Sequence, residues 1–268
     1  VNQSELHNIQ GVNFNIDVQG TGEPLVLLHG GYSNLKVWDL HVERLAQAYQ
    51  VIRYDQRGYG QSDAITTPFS YYQDLKSVLD HLGITRASVV ASSFGGSAAI
   101  DFALAYPDRV SKLILVAPSV NGAKYPLRLS WEGMKDFLRV RRVGINKAAE
   151  HFMKNSFWHY LVPQDQTLRA QFKELYVSNE VFYQGKPNLH RPLMPPAYSR
   201  LNEISHPTLV MEAGLDLPFN KQICSYVHKN IPASELVQLR QCGHYPHLEQ
   251  PAEFIELIIE FLNKDYIN

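Results

Sequence analysis

Val89-Val90-Ala91-Ser92-Ser93-Phe94-Gly95-Gly96 is the stretch from which the architecture can be read. An apolar run leads into Ser93, two glycines follow Phe94, and a helix of small residues opens at once with Ser97, Ala98 and Ala99. A strand that turns into a helix within so few residues leaves little room for side chains two positions before and two after the serine. Ala91 and Gly95 stand there, so the segment nearly matches G-x-S-x-G, with alanine in the first glycine position. In that motif the serine hydroxyl is held exposed on a sharp turn. An ordinary strand-to-helix turn with Ser93 as N-cap would use the same residues.

Outward from this turn, short runs rich in Val, Ile and Leu recur at 25–28, 51–54, 113–117 and 209–211. Like 88–91, they lack the polar alternation of a half-exposed strand, so each reads as a strand buried on both faces of a parallel sheet. Helical spacing fills the gaps at 37–49, 71–82 (with Gly83 as a C-terminal stop) and 94–106, which Pro107 ends. This alternation specifies an α/β fold with right-handed crossovers and helices on both faces of a mostly parallel sheet. Val12, Phe14, Ile16 and Val18 alternate with polar neighbours and predict an antiparallel edge strand.

The alternation stops after 117 and resumes at Pro207. Between them, 121–205 reads as helices broken by Gly and Pro, and it holds 12 of the 30 aromatic residues. Its 13 Lys/Arg against 7 Asp/Glu give +6, while the rest of the chain carries −7. The expected organisation is therefore a core of 1–120 and 206–268, with 121–205 inserted between two core strands as a helical lid over the sheet's C-terminal edge.

The 268 residues suffice for one large domain with a sizeable core. With 25 Lys/Arg against 26 Asp/Glu there is no basic field to hold nucleic acid non-specifically, so no nucleic-acid partner is expected. The longest apolar runs fall far short of a membrane span, and the polar opening residues do not read as a signal peptide. Two cysteines, Cys224 and Cys242, do not make a disulfide framework. These features lead us to expect a soluble cytoplasmic protein with no membrane partner. No His, Cys and carboxylate spacing suits a metal, and no glycine-rich phosphate loop is present, so neither metal nor cofactor is implied.

Three further segments extend the reading. The run 25–28 leads into His29-Gly30-Gly31, and 51–54 leads into Asp55-Gln56-Arg57-Gly58-Tyr59-Gly60-Gln61-Ser62. Near the C-terminus, Gly243-His244 is followed by Glu249, Pro251 and Phe254. In this order, with the serine turn, the chain resembles the α/β-hydrolase superfamily over about 12–119 and 207–261. The resemblance implies a triad in the order Ser93, Asp216, His244. Ser93 would be the nucleophile, His244 its base, and Asp216 the residue that orients the imidazole. It also implies an oxyanion hole from the backbone N–H groups of Gly31 and Phe94.

Rival residues exist for two of these roles. Glu212 could be the acid, although Asp216 follows the strand 209–211 at the usual remove. Ala213-Gly214 depart from the family's common Gly-Glu at that loop. Some relatives place the acid one strand earlier, but 117–125 contains no Asp or Glu. His247 could replace His244, yet only His244 follows a glycine and has the family's spacing to Glu249 and Pro251. His29, Asp55, Arg57 and Ser62 read as scaffold around tight loops.

The expected activity is hydrolysis of a small-molecule carboxylic ester through an acyl-serine. A lactone, thioester, amide or carbon–carbon bond could take the ester's place on the same residues, and a non-catalytic ligand-binding relative is the reading from another class. Ser93 argues against relatives that use an aspartate nucleophile. Tyr32 stands where proline-trimming peptidases show proline. From the aromatics of the insertion, Phe157 and Trp158 are expected to border the substrate pocket.

Overall fold

The five apolar runs become parallel strands of one eight-stranded sheet in the computed structural model, which describes residues 4–265. The strands are β1 (Glu5–Ile9), β2 (Val12–Gln19), β3 (Glu23–Leu28), β4 (Tyr49–Tyr54), β5 (Ala87–Ser92), β6 (Val110–Val116), β7 (Thr208–Ala213) and β8 (Ser234–Leu239). Their order is β1-β2-β4-β3-β5-β6-β7-β8, antiparallel at β1-β2-β4 and parallel from β4 onward. The helices are α1 (Asp39–Leu45), α2 (Tyr71–His81), α3 (Phe94–Ala105), α4 (Leu127–Val143), α5 (Ile145–Lys154), α6 (Gln166–Val177), α7 (Glu180–Gln184), α8 (Pro218–Asn230), α9 (Pro246–Glu249) and α10 (Pro251–Asn263). None of the described helices is long and apolar enough to cross a membrane.

The two-residue period of each strand divides its side chains between two cores. Val26, Leu28, Val89, Ala91 and Leu115 face α2, α3 and α8, where Leu75, Val78, Ile100, Phe102 and Val227 are fully buried. Leu25, Leu27, Val90, Ile114 and Met211 face α1 and α10, against Val42, Leu45, Phe254 and Ile258. Both faces being covered explains why these strands read as unbroken apolar runs.

Two sequence expectations are corrected, and two strands not expected from the sequence are added. The strand at 12–18 is antiparallel but lies one place inside the edge, because β1 pairs with it across the turn Gln10-Gly11. Both turn residues have positive φ, as a two-residue hairpin requires. The outer strands β1 and β8 have mixed, partly exposed faces and therefore carry no strong apolar signature. The helix expected over 37–49 is a 3₁₀ turn, Leu35–Trp38, followed by the short α1. Tyr49 belongs to β4, in register with Glu23.

Between β6 and β7 the described residues form α4–α7 and short 3₁₀ turns, with no strand beyond a single bridge from His190 to Phe69. Asp101 of α3 sits where this segment leaves and rejoins the core. It accepts hydrogen bonds from Asn121 Nδ2 at 2.7 Å and from the Leu193 N–H at 3.0 Å. Burial pushes its carboxyl up to about 6.

Candidate active site

Ser93 caps β5 with φ 50° and ψ −118°, a conformation that costs energy in a residue with a Cβ. Neighbouring backbone holds the turn: the Ser93 N–H donates to Val116 O at 2.8 Å, and Ser93 O accepts from Ser119 N and Gly96 N. Gly95 lets α3 start against the end of β3. A Cβ there would lie 2.5 Å from His29 O and 2.9 Å from Leu28 O, both backbone atoms. The small-residue rule read from the sequence thus has its cause in the neighbouring strand.

The tertiary structure brings Ser93, His244 and Asp216 into one hydrogen-bonded chain. Ser93 Oγ and His244 Nε2 are 2.7 Å apart, and His244 Nδ1 and Asp216 Oδ2 are 2.6 Å apart. His244 and Asp216 are buried, and Ser93 is half-buried beside a cavity of about 190 Å³. Asp216 follows β7, where its second oxygen accepts from the Leu217 N–H and Asn220 Nδ2, each at 2.7 Å. The His244 N–H donates to Tyr160 O at 2.7 Å, and the Glu249 carboxylate accepts from the Gly243 N–H at 3.0 Å. With Nδ1 donating to a carboxylate, Nε2 is left free to accept the serine proton.

Gly31 and Phe94 both line the cavity on the Ser93 side. The hydroxyl of Tyr245 donates to Gly31 O, which ties the turn after β3 to the residue following His244. His29 lies beneath that turn. Its Nδ1 bonds Gly30 O at 2.8 Å and its Nε2 accepts from the Gln56 N–H at 3.0 Å. Burial lowers its pKa, consistent with a neutral ring held by two backbone groups. Asp55 accepts from Leu35 N, Asn15 Nδ2 and Gln61 N, Arg57 pairs with Asp74, and the Ser62 hydroxyl donates to Asp55 O.

The rival residues lie elsewhere. Glu212 accepts from Gln238 Nε2 at 2.7 Å. His247 is fully buried in α9, stacked on Trp38 with ring centroids 4.6 Å apart. Of the expected pocket pair, Trp158 lines the cavity and Phe157 does not. The two rings meet edge to face at 4.8 Å, and Phe157 packs outward under Arg128. Trp158 belongs to the buried apolar cluster on this side of the sheet, and Phe157, its neighbour in the 3₁₀ turn 156–160, packs partly buried against that cluster.

Sequence reasoning passed over Asn220, Tyr160 and Tyr245. Only Asn220 left a signal, since it stands four residues after Asp216 at the start of α8. The other two act through a main-chain carbonyl and a distant hydroxyl contact.

The sequence matches the α/β-hydrolase fold family over residues 23–251. The chain is an α/β-hydrolase. This hydrolase is 30% identical over 256 residues to the 2-hydroxy-6-oxononadienedioate/2-hydroxy-6-oxononatrienedioate hydrolase of Burkholderia vietnamiensis, covering 91% of this chain and 89% of that one. Its fold superimposes on the enol-lactonase of Burkholderia xenovorans with a TM-score of 0.80 at 20% identity, covering 97% and 100% of the two chains. It superimposes on an N-acyl homoserine lactone degrading enzyme with a TM-score of 0.71 at 26% identity, covering 96% and 100%.

Proposed function

We propose that this hydrolase cleaves a bond beside a carbonyl group through Ser93, His244 and Asp216. The observation that carries the proposal is the continuous chain Ser93 Oγ–His244 Nε2 (2.7 Å) and His244 Nδ1–Asp216 Oδ2 (2.6 Å) beside an open cavity. Ser93 Oγ bonds to the carbonyl carbon while its proton passes to Nε2. The N–H groups of Gly31 and Phe94 stabilise the oxyanion, the latter at the start of α3 where the helix dipole adds to the effect. Collapse breaks the bond to the leaving group, which takes the proton from Nε2. Water then attacks the acyl-serine by the same route, returning the serine hydroxyl and releasing the acid. The helices of 121–205 act as a lid that excludes water and shapes the cavity.

The similarity to the Burkholderia vietnamiensis enzyme supports a carbon–carbon bond as the one cleaved. The compound in that enzyme's name carries a ketone and two carboxylates and no ester. Its hydrolysis must therefore break a C–C bond, with the leaving carbon stabilised as an enol. The second reading is an ester or lactone, favoured by the likeness to the lactone-degrading enzyme at 26% identity. The test is a panel of 6-ketodienoates, aryl esters and lactones assayed on wild type and Ser93→Ala, with a fluorophosphonate probe mapped by peptide mass. Labelling at Ser93 and turnover that disappears in Ser93→Ala are expected. Turnover that survives the substitution overturns the proposal.

A further inference from the structure

A second cavity of about 190 Å³ adjoins the first and shares Gly31, Tyr32, Phe94 and Gly133 with it. Gly31 and Phe94, whose N–H groups are proposed above to hold the oxyanion, border both cavities, so a substrate seated on Ser93 in the first cavity has the second within reach of one arm. The second cavity is walled by the rings of Tyr32, Tyr59, Phe137, Phe182 and Tyr183, with Asp136 of α4 among them. Asp136 is 2% exposed, and its oxygens accept hydroxyl bonds from Tyr176 at 2.9 and 3.0 Å and from Tyr183 at 3.2 Å. No Lys or Arg is among the described residues lining either cavity, and Asp136 is the one carboxylate.

The positive charge of 121–205 does not cancel this. Arg139 is the cation that acts on Asp136, and the Tyr hydroxyls are the carboxylate's hydrogen-bond partners. Arg141, whose guanidinium lies 5.5 Å from the centroid of the Phe137 ring, and Lys186 line a neighbouring depression and not the second cavity; both are exposed, so water screens them. Aromatic faces attract cations, and a desolvated carboxylate adds to that attraction while opposing anions. A group entering the second cavity meets both.

We propose that the second cavity is a subsite for a cationic substrate arm, an ammonium or alkylammonium group, and that Asp136 turns away substrates whose arm there ends in a carboxylate. The proposal rests on the Ser93 reading above. It separates this chain from its Burkholderia vietnamiensis relative, whose named substrate is a dicarboxylate. Asp136 also ties α4 to α6 and α7 through the two tyrosines. That structural role alone would leave any preference for end-group charge unaffected.

The test uses three fluorophosphonates of equal chain length ending in a methyl, a trimethylammonium or a carboxylate group, with the rate of Ser93 modification read by intact mass at pH 8. Wild type should react in the order ammonium, methyl, carboxylate, with at least about a tenfold gap between the charged ends, as expected for unit charges at an effective dielectric near 20. Asp136→Asn should bring that gap below about threefold, the carboxyl charge being gone. Tyr183→Phe removes a hydroxyl donor and keeps the charge, so the order should persist. A carboxylate probe that reacts as fast as the ammonium probe in wild type overturns the subsite, and this measurement needs no variant to fold. An unchanged gap in folded Asp136→Asn overturns the role of Asp136. If even the methyl-ended probe leaves Ser93 unmodified, the Ser93 reading fails and the subsite with it; labelling without charge preference removes the subsite alone.

Discussion

The C-terminal rim of the sheet and the helical segment between β6 and β7 meet at the same cavity but are built differently. The rim gathers Ser93, Asp216 and His244 from loops after β5, β7 and β8. Main-chain hydrogen bonds hold the Ser93 turn to β6 and the start of the Asp216 loop to β8, while the His244 N–H reaches Tyr160 O of the helical segment. The helical segment is held by stacked side chains. Phe152 packs on Trp158 and Tyr176, and Tyr32 from the rim inserts among them. The spacing of Ser93, His244 and Asp216 therefore depends largely on backbone geometry, which side-chain exchange barely moves. Cavity shape and charge depend on side chains, which can change without disturbing the strands.

The largest effects should come from the rim. Ser93→Ala should lower kcat by about 10⁶-fold with unchanged circular dichroism, and His244→Ala by a similar factor, the double variant adding little because the members act as a unit. Asp216→Asn should cost about 10⁴-fold. A mild loss there beside a severe one in Glu212→Gln would move the acid and break the comparison at its centre.

Gly95→Ala comes next. Its Cβ would press on two backbone oxygens at 2.5 and 2.9 Å, so urea unfolding should show a loss of about 3 kcal/mol. A loss below about 0.5 kcal/mol, within the range of ordinary surface substitutions, would show that the start of α3 can shift after all.

In the helical segment, burial raises the Asp136 carboxyl to about 6, against about 3.9 for an unfolded aspartate. Between these values the folded chain binds more protons than the unfolded one, so this group makes stability fall as pH rises. Relative to Asp136→Asn, wild type should lose about 2–3 kcal/mol between pH 4 and pH 7 and little beyond. Parallel denaturation curves at both ends of that range would show a carboxyl that is not buried in this way.

Specificity should respond at Trp158 and not at Phe157. Trp158→Phe should shift the preference among acyl chain lengths by about three- to tenfold, while Phe157→Leu leaves it unchanged, as competition between two esters in one assay would show. The smallest effect is Gly133→Ala in α4. Its Cβ would meet nothing nearer than the Tyr32 hydroxyl at 4.0 Å, so thermal unfolding should show a gain of about 0.5–1 kcal/mol, the opposite sign to Gly95→Ala.

The sequence by itself determined the sheet and the turn at Ser93. Strands covered on both faces must be continuously apolar, and a turn this close to a neighbouring strand excludes side chains at Gly95. Both constraints are local and leave their mark in consecutive residues. The outer strands β1 and β8 left a weaker mark because water covers part of each. The tertiary structure alone decided which of two adjacent aromatics reaches the cavity, that Tyr245 braces Gly31 across 214 positions of chain, and that Asp136 lies in the wall of a second cavity. The first and last of these depend on how helices of a segment with no strand register pack on one another, and the second on how two loops of the rim approach. Side-chain volume fixes that packing, and no periodicity in the chain encodes it.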